Sequence, residues 1–105
     1  MGGQNYRKGR NFEYKVMKHL RKLGYYCIRA YASKGLFDII AVAPQSIIGR
    51  DVLLIQAKLN GQVPKQERER LLANRFSWNG MVLIAKNNTK RHLVFENLDK
   101  QEVEV

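Results

Sequence analysis

The sequence is short of three things, and each shortage excludes something. It has one cysteine, Cys27, in 105 residues, so no internal disulfide staples the fold. A lone cysteine in an apolar stretch reads as a small core residue of a protein kept in a reducing, cytoplasmic compartment. Long apolar runs are missing too: none approaches the ~20 residues of a membrane span. The opening "MGGQNY" is polar and glycine-rich, unlike a secretory signal, and Tyr6 stands where a myristoylation motif requires Ser or Thr. The third shortage is acid. Nine Asp and Glu face 19 Lys and Arg, a net charge of +10, and Glu13 is the one acid in residues 1–35. That excess favours a polyanionic partner, nucleic acid or an acidic membrane surface. The basic first helix carries no interfacial tryptophan, which leaves DNA or RNA as the better match.

A hydrophobic fraction of 45% is that of a globular chain. Its length suits one domain over 1–105, with a flexible basic arm at 1–9 and an acidic tail at 99–105. Phe12, Val16, Met17, Leu20 and Leu23 keep helical spacing from about residue 10, and Gly24 offers a stop. Residues 25–32 and 37–43 read as strands, the second apolar on both faces apart from Asp38 and therefore central. A loop over 44–50 leads to a third strand, "DVLLIQAK". Pro64 opens a second helix reaching about Ser77. Residues 81–86 and 91–98 then form two strands joined by a turn at "NNTK". The order α-β-β-β-α-β-β predicts an α/β fold, a central mixed five-stranded sheet flanked by helices.

Polar residues interrupt the apolar faces in three places. Glu13 falls inside the apolar arc of the first helix, where a carboxylate costs several kcal/mol (roughly) unless something offsets its charge. The alternative is an acid in the first turn that complements the helix dipole. Asp38 enters the most hydrophobic strand, although Asp is depleted from strands; capping nearby backbone N–H groups would also account for it. Gln56 and Lys58 sit two apart, so an amide and an ammonium leave the same face of the third strand. A structural ion pair of Lys58 with Asp38 is the plain alternative there. Taken together, oxygen ligands from carboxylates and an amide suit Mg²⁺ or Mn²⁺. A lysine beside such an ion suits the negative charge of a phosphate. Phosphodiester hydrolysis is the chemistry that uses all of them.

Over about residues 7–98 the chain resembles the archaeal Holliday-junction resolvases, part of the PD-(D/E)xK, restriction-endonuclease-like nucleases. Gly9, Arg10 and Glu13 match that family's helix start. Ser33, Gly35 and Asp38 match its Ser-Gly loop leading to Asp, and Gln56 and Lys58 its Glu-x-Lys. The resemblance implies a Mg²⁺-dependent, structure-specific endonuclease of four-way DNA junctions acting as a homodimer in recombination and repair. Glu13, Asp38, Gln56 and Lys58 would be catalytic; Glu13, Asp38, Gln56 and the Ala57 carbonyl would hold the metal. Arg7, Lys8, Arg10, Arg29, Ser33 and Lys34 would contact DNA. Ile47, Ile48, Phe76 and Trp78 stand near element ends, where a second subunit would cover them. The sequence departs from the family in carrying Gln56 for an acid, which removes one negative charge, and Phe37 where a proline often precedes the Asp. Two further readings stand beside this one: a nuclease of the same fold acting on another DNA substrate, restriction-like or in repair, or, from the departure at Gln56, a DNA-binding module with weakened chemistry.

Overall fold

Phe12, Val16, Met17 and Leu20 bring one stripe of the first helix against a sheet, all of them 3% exposed or less. Each large apolar side chain removed from water in this way contributes about 1.5–3 kcal/mol, so this stripe fixes how the helix lies. The computed structural model describes residues 2–30, 36–43, 52–75 and 78–105. The elements are α1 (Gly2–Lys22), β1 (Tyr26–Arg29), β2 (Ile39–Val42), β3 (Val52–Ala57), α2 (Lys65–Ala73), β4 (Met81–Asn87), β5 (Leu93–Glu96) and β6 (Glu102–Val103). They form one six-stranded sheet in the order β1-β2-β3-β4-β5-β6. Strand pairs are antiparallel except β3 with β4. That parallel pair needs a crossover, and α2 supplies it.

Alternation along the strands sorts the core into two layers. Cys27, Ile39, Ala41, Leu53, Ile55, Leu83, Ala85 and Phe95 pack with α1. Ile40, Leu54, Val82 and Ile84 pack with Leu71 of α2 on the opposite face. Burial pushes the Cys27 thiol above its usual pKa against a smaller opposing pull from Arg21, in keeping with an inert core cysteine.

The structure corrects several sequence expectations. The 1–9 arm is helical from Gly2, because a helix nucleated by the packed segment extends at one hydrogen bond per added residue. The α1 helix ends before Leu23, which is 49% exposed and lies outside the buried stripe. Gly24 adopts φ 97°; its N–H bonds to Arg21 O and the Tyr25 N–H to Leu20 O, the two bonds of a Schellman stop. β2 is not central: β3 and β4 hold that place, and β1 covers the outer side of β2. α2 ends at Ala73, with Asn74 as its C-cap. The acidic tail contributes a sixth strand, Glu102 pairing Glu96 and Val103 pairing Phe95. The "NNTK" turn is as read, with the Asn88 side chain accepting from the Lys90 and His92 N–H groups.

Candidate active site

Asp38 lies one residue before β2, and its N–H donates to Ile55 O. Since Ile39 pairs with Ile55 across the β2–β3 ladder, one further step puts Asp38 opposite Gln56. Asp38 shares its side-chain parity with Ile40, and Gln56 with Leu54, so both side chains leave the sheet on the α2 face. The Asp38 Oδ2 oxygen accepts the Ala57 N–H at 2.9 Å. This bond ties the carboxylate to the end of β3.

Burial is the main reason the Asp38 carboxyl is pushed above the usual carboxylate range. The Ala57 N–H and Lys58 pull it back, the charge of Glu67 adds to the rise, and Arg29 opposes it. Gln56 is 3% exposed. Its Nε2 donates to Leu36 O at 2.8 Å, which fixes the amide's orientation and leaves Oε1 buried with no hydrogen-bond partner among the described residues. An orphaned acceptor of this kind costs about 1–3 kcal/mol. Lys58 follows on the same face, but it pairs with Glu67 at the start of α2, Nζ to Oε2 at 3.3 Å, rather than with Asp38.

Glu13 is placed differently. It stands near the middle of α1, so the first-turn dipole role does not apply. Its Oε1 accepts from Arg29 Nε at 2.6 Å, with both side chains 17% exposed. Arg29 shares the face of Cys27 on β1, the α1 side of the sheet, and its guanidinium also lies 5.3 Å from the centroid of the Tyr14 ring. The structure therefore brings Asp38, Gln56 and Lys58 together, and gives Glu13 to Arg29 in the other layer. The two groups meet at one end of the sheet, where Arg29 pairs with Ile39. Among the described residues, no three His, Cys, Asp or Glu side chains form a metal-binding cluster. Oxygen donors are nonetheless present: the Asp38 carboxylate and the unpartnered Gln56 oxygen are the hard ligands that Mg²⁺ and Mn²⁺ select.

Arg7 and Lys8 are exposed along α1 and Arg10 is half-buried. Ser33, Gly35 and Lys34 lie outside the described residues, as do Ile47, Ile48 and Phe76. Trp78 is 40% exposed and meets Phe37 edge-on, ring centroids 5.4 Å apart. The sequence reading missed Glu67, which hides among the alternating charges of "KQERER". One signal was available. A glutamate in a helix's first turn usually returns a hydrogen bond to the N-cap N–H, and here Pro64 has none to offer.

A family model described as archaeal Holliday junction resolvase matches residues 4–104. Among solved structures, that of the Holliday junction resolvase Hjc from Archaeoglobus fulgidus is similar in fold. Its TM-score is 0.66 at 23% identity, over 88% of this chain and 74% of that one. No curated protein sequence matches. The fold, the paired strand ends carrying Asp38 and Gln56-x-Lys58, and a family match across nearly the whole length lead to one assignment. The chain belongs to the archaeal Holliday junction resolvases, structure-specific nucleases of four-way DNA junctions.

Proposed function

We propose that this nuclease cuts junction phosphodiesters at the β2–β3 end, using a divalent cation held by Asp38, the Gln56 side-chain oxygen and the Ala57 carbonyl. The observation that carries this reading is the Gln56 Oε1 atom, buried without a partner among the described residues, across the strand pair from the half-buried Asp38. Mg²⁺ fits these hard donors, and Mn²⁺ substitutes for it. Such an ion, when bound, makes an adjacent water a better nucleophile and offsets charge on the phosphate. Asp38 must be ionised to hold it. The Lys58 ammonium stabilises the negative charge that grows on the phosphoryl oxygens as the water oxygen bonds to phosphorus and the ester oxygen leaves.

The Glu13–Arg29 pair orients a guanidinium at the same end of the sheet, where it suits phosphate contact. A metal role for Glu13 requires it to exchange Arg29 for the cation. Arg7, Lys8 and Arg10 extend the cationic surface along α1. Two copies of the chain act together, one for each strand to be cut; exposed Tyr26, Ile28 and Val42 on the edge pair β1–β2 offer apolar surface for that association.

The test is cleavage of a labelled four-way junction and a matched linear duplex, with Mg²⁺ or Mn²⁺ against EDTA. Junction cleavage should depend on the metal and exceed duplex cleavage. Equal cutting of both DNAs, or cutting that survives EDTA, refutes the reading.

A further inference from the structure

Gln56 leaves the site one carboxylate short, and the structure holds a carboxylate that no local role absorbs. Glu67 belongs to the first turn of α2. A glutamate there ordinarily closes a capping box, but the N-cap residue Pro64 has no N–H and makes no side-chain cap bond. Instead Glu67 leans to the sheet, with Oε2 at 3.3 Å from Lys58 Nζ. That oxygen is buried and makes no hydrogen bond among the described residues, because the contact with Lys58 is an ion pair without hydrogen-bond geometry. Among the described residues, the buried side-chain oxygens left without a hydrogen-bond partner are two: Glu67 Oε2 and Gln56 Oε1. Both serve the face that carries Asp38 and Lys58.

Lys58 and the Ala57 N–H offset part of the charge on Glu67 and Asp38, but the two orphaned oxygens still lack a hydrogen-bond partner among the described residues, and one cation would serve them together with Asp38. We propose that Glu67 of α2 is the second carboxylate ligand of the divalent cation, taking over from the helix the charge that Gln56 no longer supplies from the strand. The inference rests on the reading of Asp38 and Gln56 as a metal site. Asp38, Glu67 and Lys58 sum to one negative charge, and a divalent ion turns the site net positive, as a phosphodiester requires. With a cation held there, Glu67 Oε2 would no longer engage Lys58, whose ammonium would then be free to face the phosphate. The orphaned Oε2 favours a ligand over a mere anchor for Lys58, because an anchor would be expected to make its hydrogen bond.

The experiment is calorimetric titration of Mn²⁺ into the whole protein without DNA, for wild type, Glu67→Gln, Asp38→Asn and the double variant Gln56→Glu/Glu67→Gln. Thermal melting without metal checks that each variant is folded. Glu67→Gln should weaken Mn²⁺ binding by at least about tenfold, and Asp38→Asn should weaken it as well. The double variant, with the carboxylate returned to β3, should recover affinity to near wild type. Glu67→Gln binding Mn²⁺ like wild type, while Asp38→Asn loses it, overturns the role of Glu67 and leaves the site standing. A double variant that stays weak also overturns it, because Glu67 then acts through its position beside Lys58. If Asp38→Asn binds as well as wild type, the metal site itself is misplaced.

Discussion

At the level of single residues, Asp38 links the energetics of the fold to its chemistry. Its carboxyl is held above the usual range mainly by burial. A raised folded-state value means that the native protein takes up the proton more readily than the unfolded chain. The favourable contribution is complete below the unfolded value and is lost as pH rises through the folded one. At neutral pH the ionised Asp38 therefore weighs against folding. Asp38→Asn should melt at an equal or higher temperature than wild type near pH 7, and the difference should vanish at acid pH, where both side chains are neutral. The same variant should abolish cleavage, since an amide there carries no charge to hold the cation. Melting curves at the two pH values and a junction-cleavage assay check both halves. Gln56 makes a second case. Gln56→Leu keeps the bulk but removes the buried oxygen, so cleavage should be nearly lost at any Mg²⁺ concentration. Gln56→Glu should cut at least as well as wild type at millimolar Mg²⁺ and reach half-maximal rate at lower metal, as measured by metal titration of the cleavage rate. Much of this was legible in the sequence because Asp38, Gln56 and Lys58 violate strand patterning. Glu13 likewise breaks the apolar arc of its helix, yet its partner Arg29 comes from another element, and no single-chain pattern reveals which cation will meet a partly buried acid. Glu67 breaks no apolar pattern, and the proline at its helix's N-cap is its one mark in the sequence. Its partner becomes visible only when α2 is laid across the sheet.

Among the elements, the apolar spacing of α1 and the β-branched runs of β2–β4 announced themselves because burial dictates them. The ends did not. Gly2 and Gly3 argue against helix by propensity, but propagation from the buried stripe of Phe12 and Val16 carries α1 through them. β6 spans two residues, Glu102 and Val103, too short for any alternation to show. It exists because β5 offers an open edge. The far end of α1 is the better-specified one. Gly24 adopts φ 97°, a left-handed conformation that costs a residue with a Cβ about 1–2 kcal/mol. Gly24→Ala should therefore lower the melting temperature by roughly 4–8 °C per kcal/mol lost. Metal affinity should be unaffected, because the stop precedes Tyr26, which pairs with Val42 at the opposite end of the β1–β2 ladder from Asp38. Thermal melting with a parallel Mn²⁺ titration separates the two. Gly80, before β4, is constrained by space instead: a Cβ there would stand 3.0 Å from Val52 O, at the point where the parallel pair begins.

For the molecule as a whole, the net charge of +10 was the most legible property of all, and the fold shows where part of it is spent. Arg29 is committed to Glu13, Lys58 to Glu67, Lys86 to Glu96 and Arg75 to Asp99. Arg7 and Lys8 project from α1 into solvent, at the helix that also delivers the Glu13–Arg29 pair to the site end of the sheet. These exposed cations are suited to phosphates, which set affinity and register on the DNA without reading its sequence. Junction binding should then weaken with salt, the log of the binding constant falling by about 0.9 per phosphate neutralised for each unit in log salt. Replacing Arg7 or Lys8 by Ala should lower affinity for junction and duplex alike and reduce that slope by roughly 1 per cation removed. The cleavage rate at saturating enzyme should stay near wild type, since neither residue touches Asp38, Gln56 or Lys58. Binding isotherms in EDTA across a salt series, paired with single-turnover cleavage, measure the two effects separately. A slope left unchanged by both substitutions would place the DNA on another face of the protein.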